Sequence, residues 1–291
     1  MPAQLRPVRY DQVVETLKQL SIDASHALPD DVLTGIREAL QHEESPTAKH
    51  ILQLMLDNAE IASEEMLPLC QDTGVSVVFV EQGQCAVLEP PAERPDATLT
   101  DAINEGVRAG YTEGYLRKSM VDDPSGERVN TQNNTPAIVH HEFVPGDRLK
   151  LTLMPKGGGC ENKSQLTMLK PIQGEKGVKD FVVSVVENAG ADACPPFVVG
   201  VGIGGNFEKA AMLSKKALLR RLDEPHPDAK YAAMEKELTE RINNLGIGPQ
   251  GLGGRVTTLG VKIEAHPCHI ASLPVAVNIE CHSHRHKSAT L

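Results

Sequence analysis

The chain has no tryptophan, and only 3% of its residues are aromatic, five Phe and four Tyr. Platforms for stacking bases or sugars are therefore poorly supplied. Basic charge is short as well: 29 Lys and Arg against 39 Asp and Glu leave a formal charge of -10. Without a cation excess, little is gained by releasing the counterions of a nucleic acid. No apolar stretch approaches the roughly 20 residues that a membrane-spanning helix needs. The opening residues, MPAQLRPVRYDQ, lack the apolar core of a secretory signal. No Cys-x-x-Cys pair is present, which removes the ribbon type of zinc site. These absences leave a cytoplasmic protein that meets neither membrane nor nucleic acid. An anionic ligand would have to find a local positive site.

What is present is a chain of 291 residues, long enough for a substantial core. The expected organisation is one elaborated domain, 1–291, with a helical part over 1–66 and an α/β part, or α+β, over 67–291. Apolar residues at helical spacing mark Tyr10–Leu20 and Asp30–His42, and Ser45-Pro46 offers an N-cap and first-turn proline for a helix through Glu65. The continuous run Val75–Val80 suits a strand buried on both faces. A helix over Leu99–Leu116 follows, and Ala137–Val144 with Arg148–Met154 read as a hairpin around Pro145-Gly146. Further on, helices near 178–188, 207–220 and 228–245 alternate with strands near 197–201, 256–263 and 273–279.

Six cysteines, at 70, 85, 160, 194, 268 and 281, are spread along the chain. In a reducing compartment such thiols serve metal binding, catalysis or plain burial more than cross-linking. Four segments set a cysteine beside turn residues: Cys70-Gln71-Asp72-Thr73-Gly74, Gly157-Gly158-Gly159-Cys160, Cys194-Pro195-Pro196, and His266–His286. A lone cysteine is more often a small buried hydrophobe. Three that converge can hold an iron-sulfur cubane and leave one iron free to act as a Lewis acid. Asp72 suits a general acid or base and equally a turn cap. Arg117 and Lys163 suit carboxylate clamps and equally surface charges. Gly200–Gly205 could cradle a phosphate, but close packing of backbone is the better use of those glycines. The alternating histidines after Cys281 read as a solvated tail, with a tail metal site as the alternative.

The strings LCQDTG (Leu69–Gly74), NTQNNTPAIVH (Asn130–His140), PKGGGCENKS (Pro155–Ser164), CPPFVVGVGIGG (Cys194–Gly205) and HPCHIASLPVAVN (His266–Asn278) resemble class I fumarases. More narrowly, they resemble the alpha subunit of the two-subunit form and the related L-tartrate dehydratase. The resemblance runs from about Cys70 to His286. It implies a 4Fe-4S cluster held by Cys70, Cys194 and Cys281, with Cys160 as a pocket residue. It implies substrate contacts at Gln71, Arg117 and Gly159, and catalytic roles for Asp72 and for His269, chosen over His266 by its distance from Cys281. The reaction implied is reversible hydration of fumarate to L-malate, a step of the tricarboxylic acid cycle. Asn-Thr-Pro-Ala and the ENKS after Cys160 look more like fumarase; L-tartrate dehydratase is the alternative, and a non-catalytic iron-sulfur sensor a third reading. A sensor needs no carboxylate clamp. Single-chain relatives carry a second domain after the cluster domain, so a beta subunit that completes the site, and a hetero-oligomer, are expected here.

Overall fold

The computed structural model describes residues 5–291. In chain order the elements are β1 (Arg6–Arg9), α1 (Tyr10–His26), α2 (Asp30–His42), α3 (Pro46–Glu64), β2 (Val75–Gly83), β3 (Ala86–Glu89), α4 (Leu99–Glu113), β4 (Ile138–Val144) and β5 (Leu149–Lys156). There follow α5 (Gly158–Glu161), β6 (Gln165–Leu169), α6 (Gly174–Ala189), β7 (Phe197–Gly204), α7 (Phe207–Ala217), α8 (Ala229–Asn243), β8 (Thr258–His266), β9 (Leu273–Glu280) and β10 (Lys287–Thr290). Helices and mixed sheets make this an α/β protein. Among the described residues, no helix is long and apolar enough to cross a membrane.

The chain divides into two compact units. Unit one comprises Met1–Ala27, Ile61–Gly157 and Arg285–Leu291; unit two comprises Leu28–Glu60 and Gly158–His284. The N-terminal helices are thus shared out, α1 to the first and α2 to the second.

Unit one is built on a sheet of order β10-β5-β2-β4, with a small β1-β3 pair. Helix α4 starts at Thr98, whose side chain accepts the Asp101 N–H while the Asp101 carboxylate accepts the Thr98 N–H, so two otherwise orphaned donors are satisfied. On α4, Gly106 and Gly110 face α1: a Cβ at 106 would lie 2.6 Å from the Leu17 Cβ and from the Val14 carbonyl. The absent side chains let the two helices approach closely, over a core that includes Val13, Leu17, Val107, Tyr111, Val78 and Leu151.

The expected hairpin of β4 and β5 does not form. Both strands pair with β2, β4 parallel to it and β5 antiparallel, so β2 lies between them. The physical reason is burial. The apolar run of β2 needs neighbours on both edges, whereas β4 has only exposed and half-exposed residues and suits the margin. The turn at Pro145–Arg148 passes over the end of β2, where the Gly83 N–H donates to the Arg148 carbonyl at 2.8 Å.

Unit two is built on a sheet of order β6-β9-β7-β8. Strand β7 is buried along its whole length, and its two faces differ. Val199, Val201 and Ile203 join Val182, Val185, Leu238 and Ile242 of α6 and α8 in one core. The alternate positions, Gly200 and Gly202, lie against α7: a Cβ at either would strike the α7 backbone, at Ser214 and Ala210 respectively. The glycine-rich run therefore serves helix-on-sheet packing, as its composition suggested. The tail does not stay in solvent. Ser283, His284 and Arg285 are buried, and β10 pairs antiparallel with β5. Four backbone-paired residues and the Leu291 to Leu149 exchange hold a segment whose alternating histidines had suggested a solvated tail.

Gly202→Val tests the close approach of α7. Forcing a branched side chain into that contact costs about 1–3 kcal/mol, so urea unfolding should show a lower midpoint with an unchanged slope. A variant as stable as the parent would mean that α7 yields without loss.

Candidate active site

Unit one contributes a turn, residues 70–74, that feeds β2. Its last residue, Gly74, has φ +74°, and a Cβ there would lie 2.7 Å from the Lys156 carbonyl group; only glycine meets both conditions. Val75 then pairs with Lys156, which brings the start of the glycine loop beside the turn. The turn is held at its last three carbonyls. The Asp72 carbonyl accepts from Arg285 Nη2, the Thr73 carbonyl from the Tyr111 hydroxyl at 2.6 Å, and the Gly74 carbonyl from Asn134 Nδ2 at 3.0 Å. Asp72 caps locally, its Oδ1 accepting the Gly74 N–H at 3.0 Å. Its own N–H donates to Cys70 Sγ at 3.4 Å. A Cβ at Gly157 would sit 3.4 Å from Asp72 Oδ2, so the carboxylate lies over the glycine loop.

The segment of Arg117 is tied to the same turn. Thr73 Oγ1 donates to the Arg117 carbonyl at 2.6 Å, and Asn134 Oδ1 accepts the Ser119 N–H at 2.7 Å. The Arg117 and Gln71 side chains are exposed. Unit one thus gathers Cys70, Gln71, Asp72 and Arg117, with the Asp72 and Arg117 carbonyls held and the Gln71 and Arg117 side chains exposed. Lys163, by contrast, forms an ion pair with Asp192 at 2.6 Å, which answers its charge locally.

Unit two contributes strand ends. Cys194 precedes β7 and Cys281 follows β9, and these strands run antiparallel with Val198 opposite Glu280, so both cysteines emerge at one end of the sheet. The His282 N–H donates to the Cys194 carbonyl at 3.3 Å. The Gln250 N–H donates to the Pro195 carbonyl at 2.9 Å, so the glycine-rich loop near 246–254 braces this turn. Cys160, on the short α5, is buried with its Sγ 3.6 Å from the Ala193 carbonyl. Sγ of Cys160, Sγ of Cys281 and a carboxylate oxygen of Glu280 all lie within 4.8 Å of one another. Gly159 is exposed, and a Cβ there would meet nothing within 4 Å.

His269 is not brought to these thiols within unit two. It lies before β9 and Cys281 lies after it, and the eight residues of that strand span roughly 25 Å. His269 is exposed and shares a cavity of about 410 Å³ with His266, Cys268, Lys230 and Tyr231.

An iron-sulfur cluster needs soft, ionisable sulfur donors and an environment that accepts negative charge. None of the six cysteines forms a disulfide, and Cys160, Cys194 and Cys281 share one sheet end. At the turn of Cys70, the buried Arg285 keeps Nε and Nη1 without a hydrogen-bond partner, a positive group suited to an anion. The residues present fit the group. Sequence reasoning passed over Arg285, Asn134, Tyr111 and Glu280. Asn134 stands inside the quoted NTQNNTP string, and its φ of 58° is the kind of left-handed turn position that asparagine favours.

Burial pushes the Tyr111 phenol up to about 12, with smaller contributions from its neighbours. Below pH ~10 both folded and unfolded chains keep the proton; between about 10 and 12 the unfolded chain loses it first, so stability falls as pH rises through this window. Tyr111→Phe should cost about 1–3 kcal/mol at neutral pH, because the Thr73 carbonyl loses its donor. The variant should also show a shallower loss of stability above pH 10. Urea titrations of both proteins between pH 7 and 11 measure the two effects, and parallel curves would contradict the assignment.

Known proteins bear on this arrangement in two ways. The model of the family described as fumarate hydratase (Fumerase) matches residues 14–290. The chain is 42% identical over 279 residues to the putative L(+)-tartrate dehydratase subunit alpha of Methanocaldococcus jannaschii, covering 94% of each chain. It is 33% identical over 277 residues to the L(+)-tartrate dehydratase subunit alpha of Escherichia coli strain K12, covering 94% of this chain and 89% of that one. A match that takes in the thiol-bearing turns, the glycine loop and nearly the whole length leads to one conclusion: the chain belongs to the fumarate hydratase (Fumerase) family and is a hydro-lyase of the alpha-subunit type.

Proposed function

We propose that this chain, with a beta subunit, catalyses the reversible hydration of fumarate to L-malate, using a 4Fe-4S cluster held by Cys70, Cys194 and Cys281. The observation that carries the reading is the gathering of cysteines at one end of the unit-two sheet, with Cys281 beside Cys160 and Glu280 and level with Cys194. When bound, the cluster supplies a Lewis-acid iron that lacks a protein ligand. The chain's own residues do the rest. Arg117, rooted by its carbonyl on Thr73, clamps a substrate carboxylate through its planar fork. The Gly159 N–H and the Gln71 amide orient the same dicarboxylate. Asp72, fixed at its carbonyl and through Oδ1, carries the proton. His269 enters only through the family resemblance, and its place at the far end of β9 argues against a share in proton transfer at these thiols. The beta subunit brings the remaining carboxylate-binding groups, and the working form is a hetero-oligomer.

A second reading, dehydration of L(+)-tartrate, is favoured by the names of the relatives at 42% and 33% identity. The anaerobically reconstituted alpha–beta complex, assayed against fumarate, L-malate and L-tartrate, separates the two. Turnover of fumarate and L-malate with little of tartrate is expected; the reverse order would transfer the assignment, and no turnover of any dicarboxylate would overturn the reading.

The ligand set has its own test. Cys70→Ser, Cys194→Ser and Cys281→Ser should each lose most of the bound iron and the broad visible absorbance, whereas Cys160→Ser should keep both. A Cys160→Ser protein without iron, beside a Cys70→Ser protein with it, would move the ligand role to Cys160. Activity of the parent complex should fall in air and return with ferrous iron and thiol.

A further inference from the structure

Arg285 is buried, 3% exposed, within unit one. Its Nη2 donates to the main-chain oxygen of Asp72, while Nε and Nη1 are buried without a partner. A guanidinium stays charged at any accessible pH, and a buried charge with unused donors is expensive to maintain. Structure alone gives no reason to keep it, since a neutral donor could satisfy one carbonyl at less cost. The carbonyl it holds belongs to the one residue of the turn whose side chain carries an acid. Thr73 and Gly74 are fixed by neutral donors, Tyr111 and Asn134; the charged one is spent on Asp72.

We propose that Arg285 is the positioning residue for Asp72, fixing its backbone and so the direction of its carboxyl group. The inference rests on the proposed proton-carrying role of Asp72. It differs from a carboxylate clamp, which is assigned to Arg117. The guanidinium acts through the turn, and the geometry for that action is the Nη2 contact itself.

The test uses the anaerobically reconstituted alpha–beta complex carrying Arg285→Ala or Arg285→Lys, beside Asp72→Asn. Misplacing a reacting group by about an ångström costs on the order of 100-fold, so kcat should fall roughly 10- to 100-fold in Arg285→Ala. KM for fumarate and iron content per complex should stay within about twofold of the parent. Arg285→Lys should recover only part of the loss. Millimolar methylguanidinium should restore kcat in Arg285→Ala and leave Asp72→Asn inactive. Hydrogen exchange read by mass spectrometry should show faster exchange of the amides at 72–74 in Arg285→Ala. Unchanged kcat, or a loss that tracks lost iron and resists methylguanidinium, would overturn the proposal in favour of a merely structural arginine. A parent complex that turns over no dicarboxylate would overturn the hydro-lyase reading instead. The exchange rates at 72–74 would then still decide whether Arg285 fixes the turn.

Discussion

The chemistry of unit one depends on a single close approach, the glycine of the CQDTG turn against the main chain of Lys156. With no side chain at Gly74, the turn can bend at positive φ and lie directly on the strand that leads into the glycine loop. Everything else is bracing. Tyr111 and Asn134 take the next two carbonyls, Thr73 reaches across to the Arg117 segment, and Asn134 closes the circuit through Ser119. Rigid placement of this kind is what a site needs if bond-making groups are to start near their productive geometry. The capping reading of Asp72 holds, since its Oδ1 accepts the Gly74 N–H, and the same contact fixes the direction of the carboxylate that the proposed proton-carrying role would use.

Much of the architecture could be read in advance because it follows from local periodicity. Helices announced themselves by spacing, and Ser45-Pro46 opens α3 with the Ser45 hydroxyl accepting the Ala48 N–H. The run Val75–Val80 is a buried strand, and Gly200 and Gly202 do pack backbone against helix. What could not be read was pairing across distance. Two strands joined by a Pro-Gly turn look like a hairpin to any local rule, and nothing nearby in sequence says that a third strand claims both their edges. The tail misled for the same reason: histidines at alternate positions look solvated until β5, more than 100 residues earlier, is known to need an edge partner.

The candidate residues divide along the same line. Those inside compact motifs, Cys70 through Gly74 and Cys194 with its prolines, could be singled out as candidates from the sequence. Those that reach over sequence distance could not. Arg285 meets Asp72 from 213 positions away, Tyr111 meets Thr73 from 38, and no motif spacing encodes either. His269 shows the converse hazard. Counting back from Cys281 selects a histidine, but a strand converts twelve positions into length, and the count carries no information about which end of the sheet a residue occupies.

The strand order also sets the order in which the molecule can be completed. Unit one takes its last strand and Arg285 from residues 285–291, after the whole of unit two. During vectorial synthesis its β5 edge therefore waits, unpaired, while more than 100 residues are added. The Asp72 turn lacks its arginine throughout that interval. The turn is finished only when the final seven residues of the unit have been made, so its arginine is the last of its braces to arrive.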